Sequence, residues 1–175
     1  DTVPGLPQRY HALAKLDGIA KLWFDDETSM WQSFASPLIE AIRRDTGAFI
    51  STLQLLTAEA NVVVPPPAGA GAFKRISFLT RRPEMGADAF AAEWHGTHAE
   101  LVRSLPGCRG YVQNRIEGRF LARGELATYE QMPYDGMAEL WFDDAEAMRA
   151  AYTSGARDAL RAHARTMIHE IATFV

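Results

Sequence analysis

Ten residues of this chain occur twice. Asp17-Gly-Ile-Ala-Lys-Leu-Trp-Phe-Asp-Asp26 returns as Asp135-Gly-Met-Ala-Glu-Leu-Trp-Phe-Asp-Asp144, with eight identities. Only Ile19/Met137 and Lys21/Glu139 differ. A repeat of this fidelity, with tryptophans in register, means that the chain is built from two related units. Each copy alternates like a strand: Ala20, Leu22 and Phe24 share one face, and Ile19, Lys21 and Trp23 share the other. The acidic residues that follow sit where a helix starts, which suits capping and the helix dipole.

The second unit reads as complete. Phe73 to Thr80 is a strand, and Ala87 to Leu105 a helix stopped by Pro106-Gly107. On that helix Phe90, Trp94, His98 and Leu101 form one stripe. Gly110–Glu117 and Glu125–Gln131 read as a long hairpin, followed by the repeat strand Met137–Phe142. A helix from Asp144 breaks at Ser154-Gly155, and a short helix and a strand over Met167–Val175 close the unit. The order strand, helix, strand, strand, helix, strand is the ferredoxin-like pattern.

The first unit shows only the later part of that order. Strands are expected at 8–14 and 17–24. Met30, Phe34 and Leu38 then recur at helical spacing, with a break at Pro37, and a strand runs from Leu53 to Val64. The leading strand and helix have no counterpart, and the expectation is that they have been lost. The units are therefore 1–64 and 72–175, joined by a linker over 65–71 in which prolines stiffen and glycines turn. Each sheet would carry helices on one face. The other face bears Ile19/Met137 and Trp23/Trp141, too apolar for water. The fold class is α+β: two ferredoxin-like units whose sheets bury these faces against each other as an intramolecular barrel.

Bulk properties narrow the function. The chain has 175 residues, 47% of them hydrophobic, and a net charge of −4. No basic face argues for nucleic acid, and the apolar stretches are too short for a membrane span. A single cysteine, Cys108, suits a reducing, cytoplasmic setting and no internal disulfide. Gly69-Ala-Gly71 precedes a strand, so it is no nucleotide fingerprint. No G-x-S-x-G elbow accompanies the serines and histidines.

The second unit resembles the EthD family of the dimeric α/β-barrel superfamily. The resemblance rests on Phe90-x-x-x-Trp94-x-x-x-His98-Ala-x-Leu101, Leu105-Pro106-Gly107, Tyr111-Val-Gln-Asn114 and the motif from Asp135 to Asp144. In the first unit it extends through Asp17–Asp26. It implies a dimeric or pseudo-dimeric barrel that binds a small molecule. Relatives in the superfamily include cofactor-free monooxygenases, polyketide cyclases, muconolactone-type isomerases and dehydratases, and more distant haem enzymes. The expected ligand is a hydrophobic aromatic, lactone or polyketide-like metabolite, and further homo-oligomerisation is compatible with the fold.

On this reading His98 is the base, because an imidazole titrates near neutrality. Tyr111 polarises a carbonyl, and Glu139 is an orienting carboxylate. Trp94, Trp141, Asn114, His169 and Lys21 are the expected substrate-binding residues. No cofactor or metal is required; His95 and His98 are a turn apart, but no carboxylate completes a ligand spacing. Lys21 and Glu139 occupy the same repeat position, and opposite charges there could meet across the barrel. The competing reading is a ligand-binding or structural barrel without catalysis, in which His98, Tyr111 and Glu139 only stabilise the fold.

Overall fold

A computed structural model describes residues 16–69, 71–121 and 124–175. Five strands form one antiparallel sheet: β1 (Gln54–Val64), β2 (Phe73–Arg81), β3 (Gly110–Leu121), β4 (Gly136–Phe142) and β5 (Ile168–Phe174). Their spatial order is β1-β3-β4-β2-β5. The last four strands take the ferredoxin-like arrangement. β1 adds antiparallel to the β3 edge, from Gln54↔Leu121 to Val64↔Tyr111. This strand addition covers an edge that would otherwise expose unpaired backbone. The architecture is α+β, of the dimeric α/β-barrel type.

The helices are α1 (Glu27–Ala35), α2 (Leu38–Thr46), α3 (Ala87–Glu93), α4 (Ala99–Arg103), α5 (Ala145–Thr153) and α6 (Ala156–Met167). Between α3 and α4, Trp94–His98 form a wider turn kinked at Gly96 (φ −88°, ψ −109°). Such turns are frequent at functional sites. Both repeats end as helix caps. The Asp26 carboxylate accepts from Ser29 N at 2.7 Å, and Asp144 accepts from Ala147 N at 2.7 Å. In the linker, Gly69 and Gly71 adopt positive φ.

The two faces of the sheet bury different things. The helix side holds the larger core, built around Phe90, Trp94, Tyr111, Leu140, Phe142 and Met167. Trp94 is 0% exposed, and its ring lies over Gly136. A Cβ built there would meet Trp94 Cη2 and Cζ3 at 2.5 Å. The repeated glycine therefore has a packing role in the second copy. Its counterpart Gly18 has nothing within 4 Å. The other face carries a smaller cluster of Phe78, Ile116, Met132, Tyr134 and Met137.

Two expected strands do not form among the described residues. Residues 17–24 form no ladder with any described residue. A strand exists only where a neighbour takes up its backbone groups, and none of the described elements does so here; Trp23 is left largely exposed. The strand expected at 8–14 lies outside the described residues. Glu125–Gln131 also fails to pair as a hairpin arm; a single bridge, Phe120↔Leu126, is all that forms among the described residues. The chain turns instead, because its apolar residues Met132 and Tyr134 drop into the smaller cluster.

Candidate active site

The sheet separates the sequence-derived candidates into two groups. Period-2 alternation sends Tyr111 and Gln113 of β3 to the helix side, and Asn114 to the other. On β4, Ala138 and Leu140 face the helices, whereas Met137, Glu139 and Trp141 do not.

On the helix side lies a cavity of about 80 Å³, between the sheet, α4, α5 and α6. Its walls are mostly aliphatic, with Leu79, Val102, Leu140 and Leu160 among them. That volume has room for several water molecules, each needing roughly 10–15 Å³. The polar groups on it are His98, Tyr111, Ser77, Tyr152 and the arginines Arg75, Arg157 and Arg161.

His98 is 7% exposed. Burial, and secondarily the neighbouring His163, push its pKa down from 6.5 to about 3. The imidazole is therefore neutral at ordinary pH. Its Nδ1 lies 3.4 Å from His163 Nδ1, and His163 Nε2 lies 3.2 Å from Glu93 Oε2. A carboxylate only accepts, so His163 carries a proton on Nε2, and in its neutral form it presents a bare Nδ1. The network then assigns the proton of His98 to Nδ1 and leaves Nε2 with its lone pair. Glu93 is half exposed, so the chain of three runs from cavity wall to solvent.

Tyr111 is fully buried. Burial raises its pKa, so the phenol keeps its proton. Its oxygen accepts from Gln113 Nε2 at 2.9 Å. Gln113 also donates to the Trp94 carbonyl at 2.6 Å and accepts from Asn61 of β1 at 2.8 Å. Strand β1 thus helps to hold Tyr111 in place through Gln113.

Glu139 does not join His98 and Tyr111. It is 1% exposed on the opposite face, where Lys21 Nζ contacts Oε1 and Lys74 Nζ contacts Oε2 as ion pairs. Asn114 Nδ2 donates to Oε1 at 2.9 Å, and Asn114 Oδ1 accepts from Lys21 at 3.1 Å. Burial alone would raise the carboxyl pKa. Hydrogen bonds from Lys21, Lys74 and Asn114, with the Lys21 charge, outweigh it and hold the group ionised, below its ordinary range. The two repeat positions therefore meet, and their contact is an ion pair.

The remaining candidates are dispersed. Trp94 lies in the core and does not line the cavity. Trp141 is half-buried on the far face, with Lys74 Nζ 4.9 Å from its ring centroid. Asn114 and Lys21 belong to the Glu139 cluster. His169 points to solvent, contrary to the alternation with Met167 and Ile171. The β2–β5 register shifts between Thr80↔Glu170 and Arg81↔Ile168. That irregularity moves Ile168 onto the cavity with Ile171 and turns His169 out.

Sequence reasoning passed over His163 and Arg75. Arg75 shares its strand face with Ser77 and Leu79, so alternation alone places a charge on the buried side. That signal was available. His163 carried none, since its role depends on α6 packing against the kinked turn. Among the described residues, no group of three metal-ligating side chains converges, and no helix is long and apolar enough to cross a membrane.

Comparison with known proteins adds the following. The EthD domain matches residues 1–53 and 82–169. An EthD family protein from Bacillus halodurans shares 25% identity, covering 59% of this chain and 97% of that one, with a TM-score of 0.46. An anthrone oxidase-like protein shares 14% identity over 84% of this chain and 65% of its own, with a TM-score of 0.60. A candidate monooxygenase from Lactobacillus acidophilus shares 12% identity over 86% of this chain and 64% of its own, with a TM-score of 0.49. The second of these shares the fold. No curated protein matches the chain.

Proposed function

The chain belongs to the EthD family, and from that premise we propose that it is a small-molecule enzyme working by acid/base chemistry in the helix-side cavity. The observation that carries this reading is the pairing of two complementary groups on one apolar cavity. His98 offers a neutral imidazole, and Tyr111 offers a buried phenol. The substrate is a hydrophobic metabolite with an acidic C–H beside a carbonyl.

His98 Nε2 accepts the proton from carbon. The Tyr111 O–H donates to the carbonyl oxygen as negative charge develops there, and apolar walls strengthen that interaction. A low resting pKa keeps His98 unprotonated until substrate arrives; the nascent enolate then offsets the cost of the buried imidazolium. His163 and Glu93 position the base: Glu93 fixes His163, and His163 fixes the His98 tautomer. Glu139 takes no part in the proton transfer. Its cluster holds the two units together behind the sheet.

The test is solvent deuterium exchange into apolar β-diketones and lactones, followed by NMR. The expected result is catalysed exchange that falls on the order of 10²–10⁴-fold in His98→Gln and also falls in Tyr111→Phe. Exchange that is unchanged in His98→Gln would refute the assignment of the base. Binding without exchange in the wild type favours the non-catalytic reading instead.

A further inference from the structure

Arg75 is the least comfortable residue in the fold. It lies mid-strand on β2 and is 7% exposed. Its Nη1 donates to Tyr152 Oη at 2.7 Å, and its Nη2 donates to Thr173 Oγ1 at 3.1 Å. Its Cζ stands 4.8 Å from the Tyr152 ring centroid. Thr173 Oγ1 is in turn 3.0 Å from Ser77 Oγ. Every one of these partners is neutral. Among the described residues no carboxylate pairs with Arg75, and none lines the cavity that it faces. The other charged groups on that cavity, Arg157 and Arg161, have the same sign. A guanidinium is always charged, and a buried charge without a counter-charge is expensive. Hydroxyls and a ring face moderate that cost without neutralising it.

We infer that the cavity takes an organic monoanion, a carboxylate on a small hydrocarbon or aryl body, with its charge on Arg75 and its body against the aliphatic wall. This rests on the cavity being the ligand site, and it supplies the substrate class. A carboxylate matches the planar donor fork of arginine. The rest of the lining is Leu79, Val102, Leu140, Leu160 and Ile171, which suits hydrocarbon and rejects a strongly hydrated ion. Inorganic phosphate is therefore excluded on desolvation grounds even though its charge fits. His98 and Tyr111 line the same cavity.

The experiment is calorimetric titration of the full chain with hexanoate and benzoate, beside hexanol, benzyl alcohol and inorganic phosphate. The acids are expected to bind roughly 10–100-fold more tightly than the matched alcohols, the range for a charge-assisted hydrogen bond. Phosphate should give no heat of binding. Arg75→Met should abolish the acid preference while retaining the alcohols. Its melting temperature should not fall, because an unneutralised buried charge has been removed. Equal binding of acids and alcohols, no binding of either acid, binding of phosphate, or a preserved acid preference in Arg75→Met would each overturn the inference. The wild-type comparison decides the matter even if Arg75→Met does not fold. The outcome is separable from the catalytic reading. Loss of exchange in His98→Gln concerns neutral ketones, whereas this titration measures binding alone.

Discussion

Acidification should unfold this protein partly through one histidine. The folded pKa of His98 is about 3 against an ordinary 6.5. The unfolded chain therefore takes up a proton first as pH falls. The sign follows directly: the contribution is fully present above about pH 6.5 and is lost progressively down to about pH 3. The whole displacement corresponds to about 5 kcal/mol. Between about pH 7.5 and about pH 4.5, nearly the full proton uptake of the unfolded state applies and almost none of the folded state's, so about 3 kcal/mol is lost. Urea unfolding of the wild type and His98→Gln at both pH values isolates the effect. Other histidines and the carboxylates titrate in both proteins and largely cancel in the difference. The wild type should lose about 3 kcal/mol more than His98→Gln on acidification. Equal losses would mean that His98 is not desolvated in solution, and the buried neutral base would go with it. His163→Gln should remove only the smaller part of the effect, since burial is the larger cause.

Other substitutions probe the surrounding structure. Gly136→Ala drives a methyl into Trp94 and should cost about 1–3 kcal/mol by thermal or urea unfolding; Gly18→Ala, in open space, should change little. Lys21→Met leaves Glu139 with Lys74 and Asn114, so a loss of about 1–3 kcal/mol is expected in urea; an unchanged midpoint would dissolve the role of that pair. His169→Ala should alter stability by less than about 0.5 kcal/mol and leave deuterium exchange untouched. A drop in exchange would return His169 to the site.

The repeat made the architecture legible because it marks equivalent points in two units, and periodicity supplied the elements between them. Asp26 and Asp144 cap helices as their placement before apolar runs suggests. The approach of Lys21 to Glu139 followed from their shared repeat position and opposite charge. Other features depend on partners that no local pattern names. Residues 17–24 carry strand alternation but form no backbone ladder with any described residue. Glu125–Gln131 has strand-like composition, yet Met132 and Tyr134 do more by packing than the segment could by pairing. His169 obeyed alternation until a register shift displaced it by one residue. Tyr111 and Glu139 come from neighbouring strands and still face opposite sides, since one position of parity decides the face. The base and the phenol were readable as candidates; the arginine opposite them was readable only by asking what a charge costs mid-strand.

The Lys21–Glu139 contact depends on both copies of the repeat lying in one chain. In a dimer of identical chains, each residue near the symmetry axis meets its own copy. A glutamate there meets a glutamate, and a lysine meets a lysine. A chain that carries both copies of the repeat can put a cation in one and an anion in the other. Within one chain the two copies of the repeated position mutate independently, and here they carry opposite charges. The resulting pair also discriminates between partners. A second Glu139 brought to this place would set two carboxylates together, whereas Lys21 of the same chain neutralises the group.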